Sequence, residues 1–440
     1  MKDSQLKQVW YVTLLIIAFI SVTFFIPDFS IAGYQFKKLN LLADIQNEAP
    51  VPLVKDSVVT KRDSIKVVVP VAKPGKAFIE EFGRDNLRYF FEALRNTRTK
   101  PVRVAFFGDS FIEGDILCGP FRDTLQGIFG GSGVGYMPIT SEVSKFRTSI
   151  QHDFIQWNTF SMVGQKKENA PLGLPGYCFV PADGNEVIYK PAAKNFISAK
   201  IFYESDKYSA LTFSLNELPG EKVDLEFSAR LNQYKLPESG FNSVKLAFHD
   251  VDSLRVYGVA LEDSVGVSVD NFSMRSNPGT GLLLVGGERM KQFDSLRNYK
   301  LVVLQYGLNV ISENDSSGYL WYMDRMVRLI NRMKENFGNC GFLLLSVGDR
   351  CSNQNGKIAT MPDVKVMRDI QRRIAQQSGI AFWDMFAAMG GENSIKRYTE
   401  SQPPLAAKDY THLTFRGGRK IAKKLADALL NEKVKYDKKR

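Results

Sequence analysis

The stretch VRVAFFGDSFIEGD, Val102 to Asp115, decides the fold of this chain and raises its first chemical question. An apolar run ends at Gly108-Asp109-Ser110, and an acidic, helix-prone segment follows. The run predicts a buried strand, and the tripeptide predicts a turn into a helix, because Gly, Asp and Ser favour turns. Ser110 is then either a turn residue or a nucleophile held at the strand's end. The second interpretation requires a base, an orienting group and an oxyanion site elsewhere in the chain.

Three further apolar runs repeat this pattern. They are YKLVVLQYGLN, CGFLLLSVGD and GIAFWDMF, with helical patterns such as YLWYMDRMVRLINRMKENFG before them. Strands that alternate with helices indicate a parallel sheet, whose strands are apolar throughout because helices cover both faces. The sequence therefore predicts an α/β fold. A chain of 440 residues exceeds what one core usually fills, so a second packed unit is expected.

The region 151–258 interrupts the alternation. KVDLEFSAR, SVKLAFHD and SLRVYGV show a period of two, which places Val223, Leu225 and Phe227 on one face of a strand. Short alternating strands separated by turn residues are typical of an antiparallel β-sandwich. We therefore expect a β-sandwich inserted between 77–150 and 259–440 of the α/β domain.

The N-terminal segment 1–30 contains Val9 to Ile26, eighteen residues without a charge. Such a run is long enough to cross most of a bilayer as a helix. Trp10 and Tyr11 stand where interfacial anchors are found. A cleaved signal peptide is the alternative, but the run exceeds the usual signal core. The interpretation is one transmembrane anchor that leaves the rest of the chain outside the cytoplasm.

The region 31–76 and the overall charge give weaker information. Residues 47–76 mix Pro, Val and Lys without a lasting period, as an extended linker does. Lys and Arg number 58 against 47 Asp and Glu, a net charge of +11, and they are scattered apart from the linker and the tail. No recognition motif accompanies this charge, so no nucleic-acid partner is expected. A basic surface suits an anionic envelope polymer or lipid headgroups, or is simply a soluble surface.

Four cysteines show no metal-binding spacing, and neither a metal nor an organic cofactor is expected. Cys340 and Cys351 could form a bridge in an oxidising compartment. The four residues are Cys118, Cys178, Cys340 and Cys351.

The chain has three histidines, which shortens the search for a base. His152 and His249 are interpreted as surface or internally satisfied residues. His412 differs, because it lies in KDYTHLT just ahead of a helical pattern. Asp409, three residues earlier, could hold the imidazole NH and fix its tautomer. The alternative is that Asp409 or Thr411 caps the last helix.

Two segments could provide an oxyanion site. Asn309 ends the strand YKLVVLQYGLN, where its amide could donate to a developing oxyanion, although a turn Asn is the alternative. Val269 to Gly281, VDNFSMRSNPGTG, is predicted to be a loop that brings a backbone NH to the same place.

The order of GDS, a Gly-containing loop, G-x-N and D-x-x-H resembles the SGNH/GDSL hydrolase superfamily. This resemblance implies a flavodoxin-like three-layer α/β/α domain. It also implies Ser110 as nucleophile, His412 as base and Asp409 as its orienter. The oxyanion hole would combine the Ser110 NH, the Asn309 amide and the NH of Gly279, with Ser276 as the alternative to Gly279. Val310 departs from the family, where an acidic residue often follows the Asn.

The anchor and the insertion resemble the branch with peptidoglycan O-acetylesterases and polysaccharide O-acetyltransferases. That likeness implies a single-pass inner-membrane protein whose periplasmic serine esterase removes O-acyl, chiefly O-acetyl, groups from an envelope polysaccharide or peptidoglycan. The insertion could then bind carbohydrate. One alternative is an acyltransferase served by a membrane-bound acyl donor. Another is a non-catalytic polysaccharide-binding or assembly protein.

Overall fold

The computed structural model describes two separate units, 1–69 and 70–440. Described residues are 10–11, 29–31, 34–36, 78–155, 157–163, 171–192, 198–238, 240–312 and 318–439. In the first unit, Phe29–Ile31 and Tyr34–Phe36 pair as short antiparallel strands. The predicted anchor, apart from Trp10 and Tyr11, and nearly all of the predicted linker lie outside these residues. None of the helices within the described ranges has the length and apolar character that crossing a membrane requires.

The second unit contains helices and strands in two interleaved groups. In chain order they are β1 Ile79–Glu80, α1 Arg88–Leu94, β2 Pro101–Gly108, α2 Cys118–Phe129, β3 Gly135–Met137, β4 Ile150–Phe154, β5 Asn158–Ser161, β6 Tyr177–Val180, β7 Glu186–Pro191, β8 Ser198–Ser205, β9 Ser209–Leu215, β10 Glu221–Leu225, β11 Ser228–Lys235, β12 Val244–His249, β13 Arg255–Glu262, β14 Gly266–Ser273, α3 Gly287–Arg297, β15 Tyr299–Gln305, α4 Leu320–Asn336, β16 Gly341–Leu345, β17 Cys351–Gln354, β18 Lys357–Thr360, α5 Pro362–Ser378, β19 Ala381–Trp383, α6 Met385–Met389, α7 Ser394–Thr399 and α8 Phe415–Lys438.

The central sheet has the strand order β14-β2-β15-β16-β19-β1. Its first five strands are parallel, and β1 joins antiparallel to β19. Numbered along the chain, the parallel strands follow the order 2-1-3-4-5 of flavodoxin-like folds. The chain moves one way along the sheet after β2 and the other way after β15, so right-handed crossovers place helices on both faces. Ligands of such sheets bind where this direction reverses, here beyond the carboxyl ends of β2 and β15.

Strand β2 is the buried strand that the sequence predicts. Its residues Val104 to Phe107 are fully buried, because β14 and β15 flank it and helices cover it. At its end the chain turns sharply, and a side chain at Gly108 would lie 2.8 Å from Ile112 and 3.0 Å from the Gln305 carbonyl oxygen. Glycine at this position therefore lets the turn fold back onto the sheet.

The inserted β-region is a sandwich of two antiparallel sheets. One sheet has the order β11-β8-β13-β6-β5 with β3 also on β13, and the other has the order β10-β9-β12-β7-β4. Both contribute to a shared apolar core, for example through Tyr203 and Leu246. These strands run from Gly135 to Glu262, whereas the sequence interpretation assigned 151–258. The predicted alternation fails at Phe227, which is 68% exposed because β10 ends at Leu225 before β11 begins.

A buried ion cluster joins the sandwich to the central sheet. Glu262, at the end of β13, accepts from Arg103 of β2 at 2.8 Å, from Arg297 of α3 at 2.9 Å and from Lys200 of β8 at 2.9 Å. Arg297 also pairs with Asp270 of β14 at 2.7 Å. Burial opposes ionisation of Glu262, yet the surrounding cations hold its pKa well below the usual range. The Glu262 carboxylate therefore stays charged and links the sandwich to the central sheet and α3.

Replacing Glu262 tests this junction. Glu262→Gln should lower the free energy of unfolding by about 3–5 kcal/mol, because it leaves buried cations without their counter-charge. Urea unfolding of the full chain measures the change. Glu217→Gln, at an exposed ion pair with Lys190, is the control and should leave the unfolding midpoint unchanged. Equal midpoints for the Glu262 variant and the wild type would contradict the assigned role.

Candidate active site

Ser110 lies in the turn that follows β2, at the point where the direction of the sheet reverses. The Asp109 side chain holds this turn, because its Oδ1 accepts from the Phe111 NH at 2.9 Å. A short 3-10 turn, Glu113–Asp115, continues towards α2. The helix-prone segment after Ser110 thus forms a turn, followed by α2 from Cys118. This arrangement keeps the hydroxyl of Ser110 at the edge of the sheet.

The structure brings Ser110, His412 and Asp409 together. Ser110 Oγ lies 2.9 Å from His412 Nε2, and His412 Nδ1 lies 2.6 Å from Asp409 Oδ2. A carboxylate only accepts hydrogen bonds, so Nδ1 carries the proton and donates to Asp409. Nε2 is then the acceptor for the serine hydroxyl. This arrangement can remove a proton from the serine and stabilise the resulting imidazolium.

The helix cap and the histidine partner are different residues. Thr414 caps α8 by accepting from the Gly417 NH at 3.3 Å, so neither Asp409 nor Thr411 is the cap. Asp409 Oδ1 accepts from the backbone NH groups of Thr411 and His412, at 3.0 Å and 3.1 Å. Partial burial opposes ionisation of Asp409, but these hydrogen bonds and that of the imidazole lower its pKa below the usual value. The carboxylate therefore remains charged beside the ring.

Two glycines at the start of α8 allow the helix to approach neighbouring backbone, Gly418 at the turn after Ser110 and Gly417 at Leu405. A Cβ at Gly418 would lie 2.1 Å from the Ile116 carbonyl oxygen, and one at Gly417 would lie 1.9 Å from that of Leu405. Backbone atoms cannot yield as a flexible side chain does. Any larger residue at Gly418 would push α8, and His412 just before it, away from the turn after Ser110.

Asn309 follows β15 and lies beside the same turn. Its Nδ2 donates to Asp109 Oδ2 at 3.0 Å, and Asp109 is fully buried. Burial raises the pKa of Asp109 to about 7, although hydrogen bonds from Phe111 and Asn309 and the nearby His412 oppose the rise. Asp109 therefore fixes both the serine turn and the orientation of the Asn309 amide. Sequence reasoning treated Asp109 only as a turn residue and missed this connection.

The predicted second-block loop is shorter than expected. Residues 269–273 belong to β14, and a 3-10 turn begins at Thr280. The Gly279 NH donates to Asn277 Oδ1 at 2.9 Å, and a side chain at Gly279 would collide with the Tyr306 ring at 2.8 Å. Ser276, the alternative residue, is exposed and has a positive φ of 60°.

Asn277 is the residue of this loop that sequence reasoning missed. It is 1% exposed, and its side-chain Oδ1 accepts the hydrogen bond from the Gly279 NH. Its backbone carbonyl oxygen lies 3.5 Å from Asn309 Nδ2. Its position before Pro278 in SNPG was the available signal, since an Asn before Pro favours a turn. Asn277 thus holds the loop against Asn309.

The remaining candidate residues lie outside this cluster. His152 belongs to β4 and His249 to the end of β12, both in the sandwich. All four cysteines are free, so Cys340 and Cys351 are not bridged. Within the ranges that the structure describes, no group of three His, Cys, Asp or Glu is placed to hold a metal ion.

Comparisons with known proteins show which solved structures share the fold of this chain. No protein-family model and no curated protein sequence matches the chain. A solved peptidoglycan O-acetylesterase is similar, with 18% identity and a TM-score of 0.64 over 81% of this chain and 99% of that one. This likeness confirms the predicted SGNH/GDSL resemblance at the level of the fold.

Two further solved structures are less similar to the chain and have lower TM-scores. An acetyl xylan esterase has 19% identity and a TM-score of 0.30 over 37% of this chain and 81% of that chain. A family two carbohydrate esterase from Clostridium thermocellum, in complex with cellohexaose, has 11% identity and a TM-score of 0.27 over 63% of this chain and 99% of that chain.

Substitution of Gly418 tests the approach of α8. Gly418→Ala should slow labelling of Ser110 by a fluorophosphonate about 100-fold, because a displacement near 1 Å costs that much in reactions that depend on orientation. Gly127→Ala is the matched control, since Gly127 lies in α2 with open space at its Cβ position. Labelling of the Gly418 variant at the wild-type rate would show that the close contact does not position His412.

Replacing Asp109 tests its raised pKa through stability. The folded-state pKa is about 7, against about 4 in an unfolded chain. The folded state therefore binds the extra proton between these values, and this stabilising contribution is lost as the pH rises through 7. The wild type loses this contribution between pH 5 and pH 8, and Asp109→Asn does not. The unfolding free energy of the variant minus that of the wild type should therefore increase by roughly 3 kcal/mol over this pH range.

Urea unfolding at several pH values measures this difference. Asp123→Asn, at an exposed position of α2, is the control and should track the wild type at every pH. A pH-independent difference for the Asp109 variant would contradict the raised pKa.

Proposed function

We propose that the chain is an SGNH/GDSL-type serine esterase that removes O-acyl, chiefly O-acetyl, groups from peptidoglycan or another cell-envelope polysaccharide. The observation that carries the proposal is the hydrogen-bonded series from Ser110 through His412 to Asp409. The fold likeness to a peptidoglycan O-acetylesterase supports it.

In the proposed reaction, Ser110 Oγ attacks the ester carbonyl while His412 Nε2 accepts its proton. Asp409 stabilises the imidazolium and holds the ring in place. The imidazolium then protonates the departing sugar alkoxide, which leaves an acyl group on Ser110. Water, deprotonated by His412, attacks this acyl-enzyme and releases the carboxylic acid and the free serine.

The oxyanion would form beside the Ser110 NH and the Asn309 amide. Asn309 Nδ2 carries two hydrogens, and the one bound to Asp109 fixes the plane in which the other points. Fixed donors of this kind stabilise the transition state without reorganising during the reaction. Gly279 is the proposed third donor, although its NH already donates to Asn277 and would have to be shared with the oxyanion.

The proposed setting is the periplasmic face of the inner membrane, with Val9 to Ile26 as a single-pass anchor. The motive is the charge-free length of that segment. Protease added to cells with a permeabilised outer membrane should degrade the domain after residue 76. Protection until the inner membrane is lysed would overturn this location.

An acyltransferase would use the same residues and a membrane-bound acyl donor, with a sugar hydroxyl in place of water. The exposure of His412 and Asp409 side chains, 43% and 48%, favours hydrolysis because water reaches the acyl-enzyme freely. Supplying p-nitrophenyl acetate to the full chain with and without an oligosaccharide separates the two. Capture of most acetyl groups by the sugar would replace the esterase with a transferase.

Variants of the three central residues test the esterase directly. Ser110→Ala should abolish acetyl release from p-nitrophenyl acetate and from O-acetylated peptidoglycan, while the melting temperature stays nearly constant. Asp409→Asn should lower kcat by about 10⁴ with little change in KM, as the comparable change does in a serine protease. Asp427→Asn, on the exposed face of α8, is the control. Activity retained by Ser110→Ala would overturn the proposal.

A further inference from the structure

Arg350 lies at the same edge of the central sheet as Ser110. It belongs to the loop that leaves the carboxyl end of β16, the strand next to β15. The NH of the following residue, Cys351, donates to the Tyr410 carbonyl oxygen at 3.1 Å. Tyr410 stands two residues before His412 in the segment that carries the proposed base. The backbone at Arg350 is therefore held beside the histidine segment.

The Arg350 side chain reaches the other half of the proposed site. Its Nη1 donates to the Leu308 carbonyl oxygen at 3.3 Å, and Leu308 immediately precedes Asn309. The Asn309 amide is the proposed side-chain donor to the oxyanion. This hydrogen bond thus holds the guanidinium one residue away from the group that would bind the ester carbonyl.

Most of the hydrogen-bonding capacity of this guanidinium is unused. A guanidinium has five NH donors, and the contact with Leu308 occupies one of them. Arg350 is partly exposed, and within the described part of the chain its Nε and Nη2 have no hydrogen-bond partner and are not enclosed. These two nitrogens form an edge that can bind both oxygens of a carboxylate. That edge is open to a ligand from solution.

The charge of Arg350 is not compensated by any carboxylate of the described residues. The neighbouring Asp349 is fully buried and directed elsewhere, since its Oδ1 accepts from the Thr360 hydroxyl at 2.8 Å. By contrast, Arg275, which follows β14, forms an ion pair with Glu113. An uncompensated cation at the mouth of a site attracts anionic ligands. The chemistry that Arg350 offers is therefore recognition of an anion.

We propose that Arg350 is a specificity-determining residue that binds a carboxylate of the substrate polymer close to the sugar that carries the ester. The proposal rests on the proposed esterase function, and it narrows the substrate class to polysaccharides with a carboxylate near the O-acyl group. The contact raises affinity about 10-fold, as expected of a hydrogen bond to a charged group. It also orients the polymer, because a two-point contact fixes direction as well as distance.

A comparison of charged and neutral substrates tests this contact in the full chain. O-acetylated peptidoglycan fragments are compared with the same fragments after their carboxylates have been converted to amides. In the wild type, kcat/KM should be about 10-fold higher for the charged fragments, and Arg350→Gln should remove this preference. A residue that merely supports Asn309 would lower both values equally and leave their ratio unchanged. An unchanged ratio in Arg350→Gln would therefore overturn the proposal.

Two further variants separate the shape of the guanidinium from its charge. Arg350→Lys keeps the positive charge without the two-nitrogen edge and should retain only part of the preference. Arg98→Gln is the matched control, because Arg98 is an exposed arginine in the loop before β2, at the opposite edge of the sheet. It removes the same charge and should leave the preference at the wild-type value. Equal losses in Arg98→Gln and Arg350→Gln would show that net charge selects the substrate, against the proposal.

A binding measurement keeps the test independent of catalysis. In a Ser110→Ala background, calorimetry with de-O-acetylated fragments should show tighter binding of charged than of amidated fragments. Adding Arg350→Gln should abolish this difference. Equal affinities for the two kinds of fragment in the Ser110→Ala background would overturn the proposal even if the wild type is an active esterase. A charge preference that Arg350→Gln removes, alongside an inactive wild type, would support the contact and count against the esterase.

The same measurement identifies the source of the carboxylate. Fragments from which the peptides have been removed keep a carboxylate on the sugar itself. A charge preference that survives removal of the peptides assigns the carboxylate to the sugar, and a preference that disappears assigns it to the peptide. Both results support recognition of a carboxylate by Arg350, provided that Arg350→Gln removes the preference.

Discussion

The close contact between the start of α8 and the turn after Ser110 is the constraint on which the rest of the site depends. Ser110 and His412 are 302 residues apart in sequence, and their hydrogen bond requires two distant backbones to meet within van der Waals range. Gly418 makes that approach possible, since a Cβ there would overlap the Ile116 carbonyl oxygen. The sheet supplies the other half of the geometry by ending β2 and β15 side by side, which brings Asn309 to the same edge.

Sequence reasoning reached the fold because the parallel strands are apolar throughout and are separated by helical periodicity. The fixed order of the motifs identified Ser110, His412 and Asp409 as candidate site residues. The structure places these three side chains in hydrogen-bonding contact. Their catalytic roles stay predictions.

Sequence reasoning could not find Asp109 as a partner of Asn309, or Asn277 as the support of the loop. Those roles arise from contacts across 200 and 32 residues, and the Asn-Pro pair at Asn277 indicates only a turn, not its partner. The pair Gly417-Gly418 was visible in the sequence, but its purpose depends on which backbone lies opposite.

The sandwich is attached through charge as well as apolar contact. At the boundary, Glu262 and Asp270 bind cationic side chains from β2, α3 and β8. The sandwich and the central sheet therefore meet through buried, directional hydrogen bonds. Such pairs cost desolvation and fix a single relative position only when their partners are complete. The complete set of partners around Glu262 and Asp270 therefore fixes the sandwich against the central sheet.

The half-exposed side chains of His412 and Asp409 bear on the kinetics of the site. Nothing in the part of the chain that the structure describes covers these two side chains, so in the proposed esterase a long polymer would reach them without a lid movement. Openness also removes the low-dielectric surroundings that strengthen electrostatic stabilisation in enclosed sites. In the proposed esterase, rate enhancement then depends on the rigidity of the buried residues that support the reacting groups, chiefly Asp109 and Asn277.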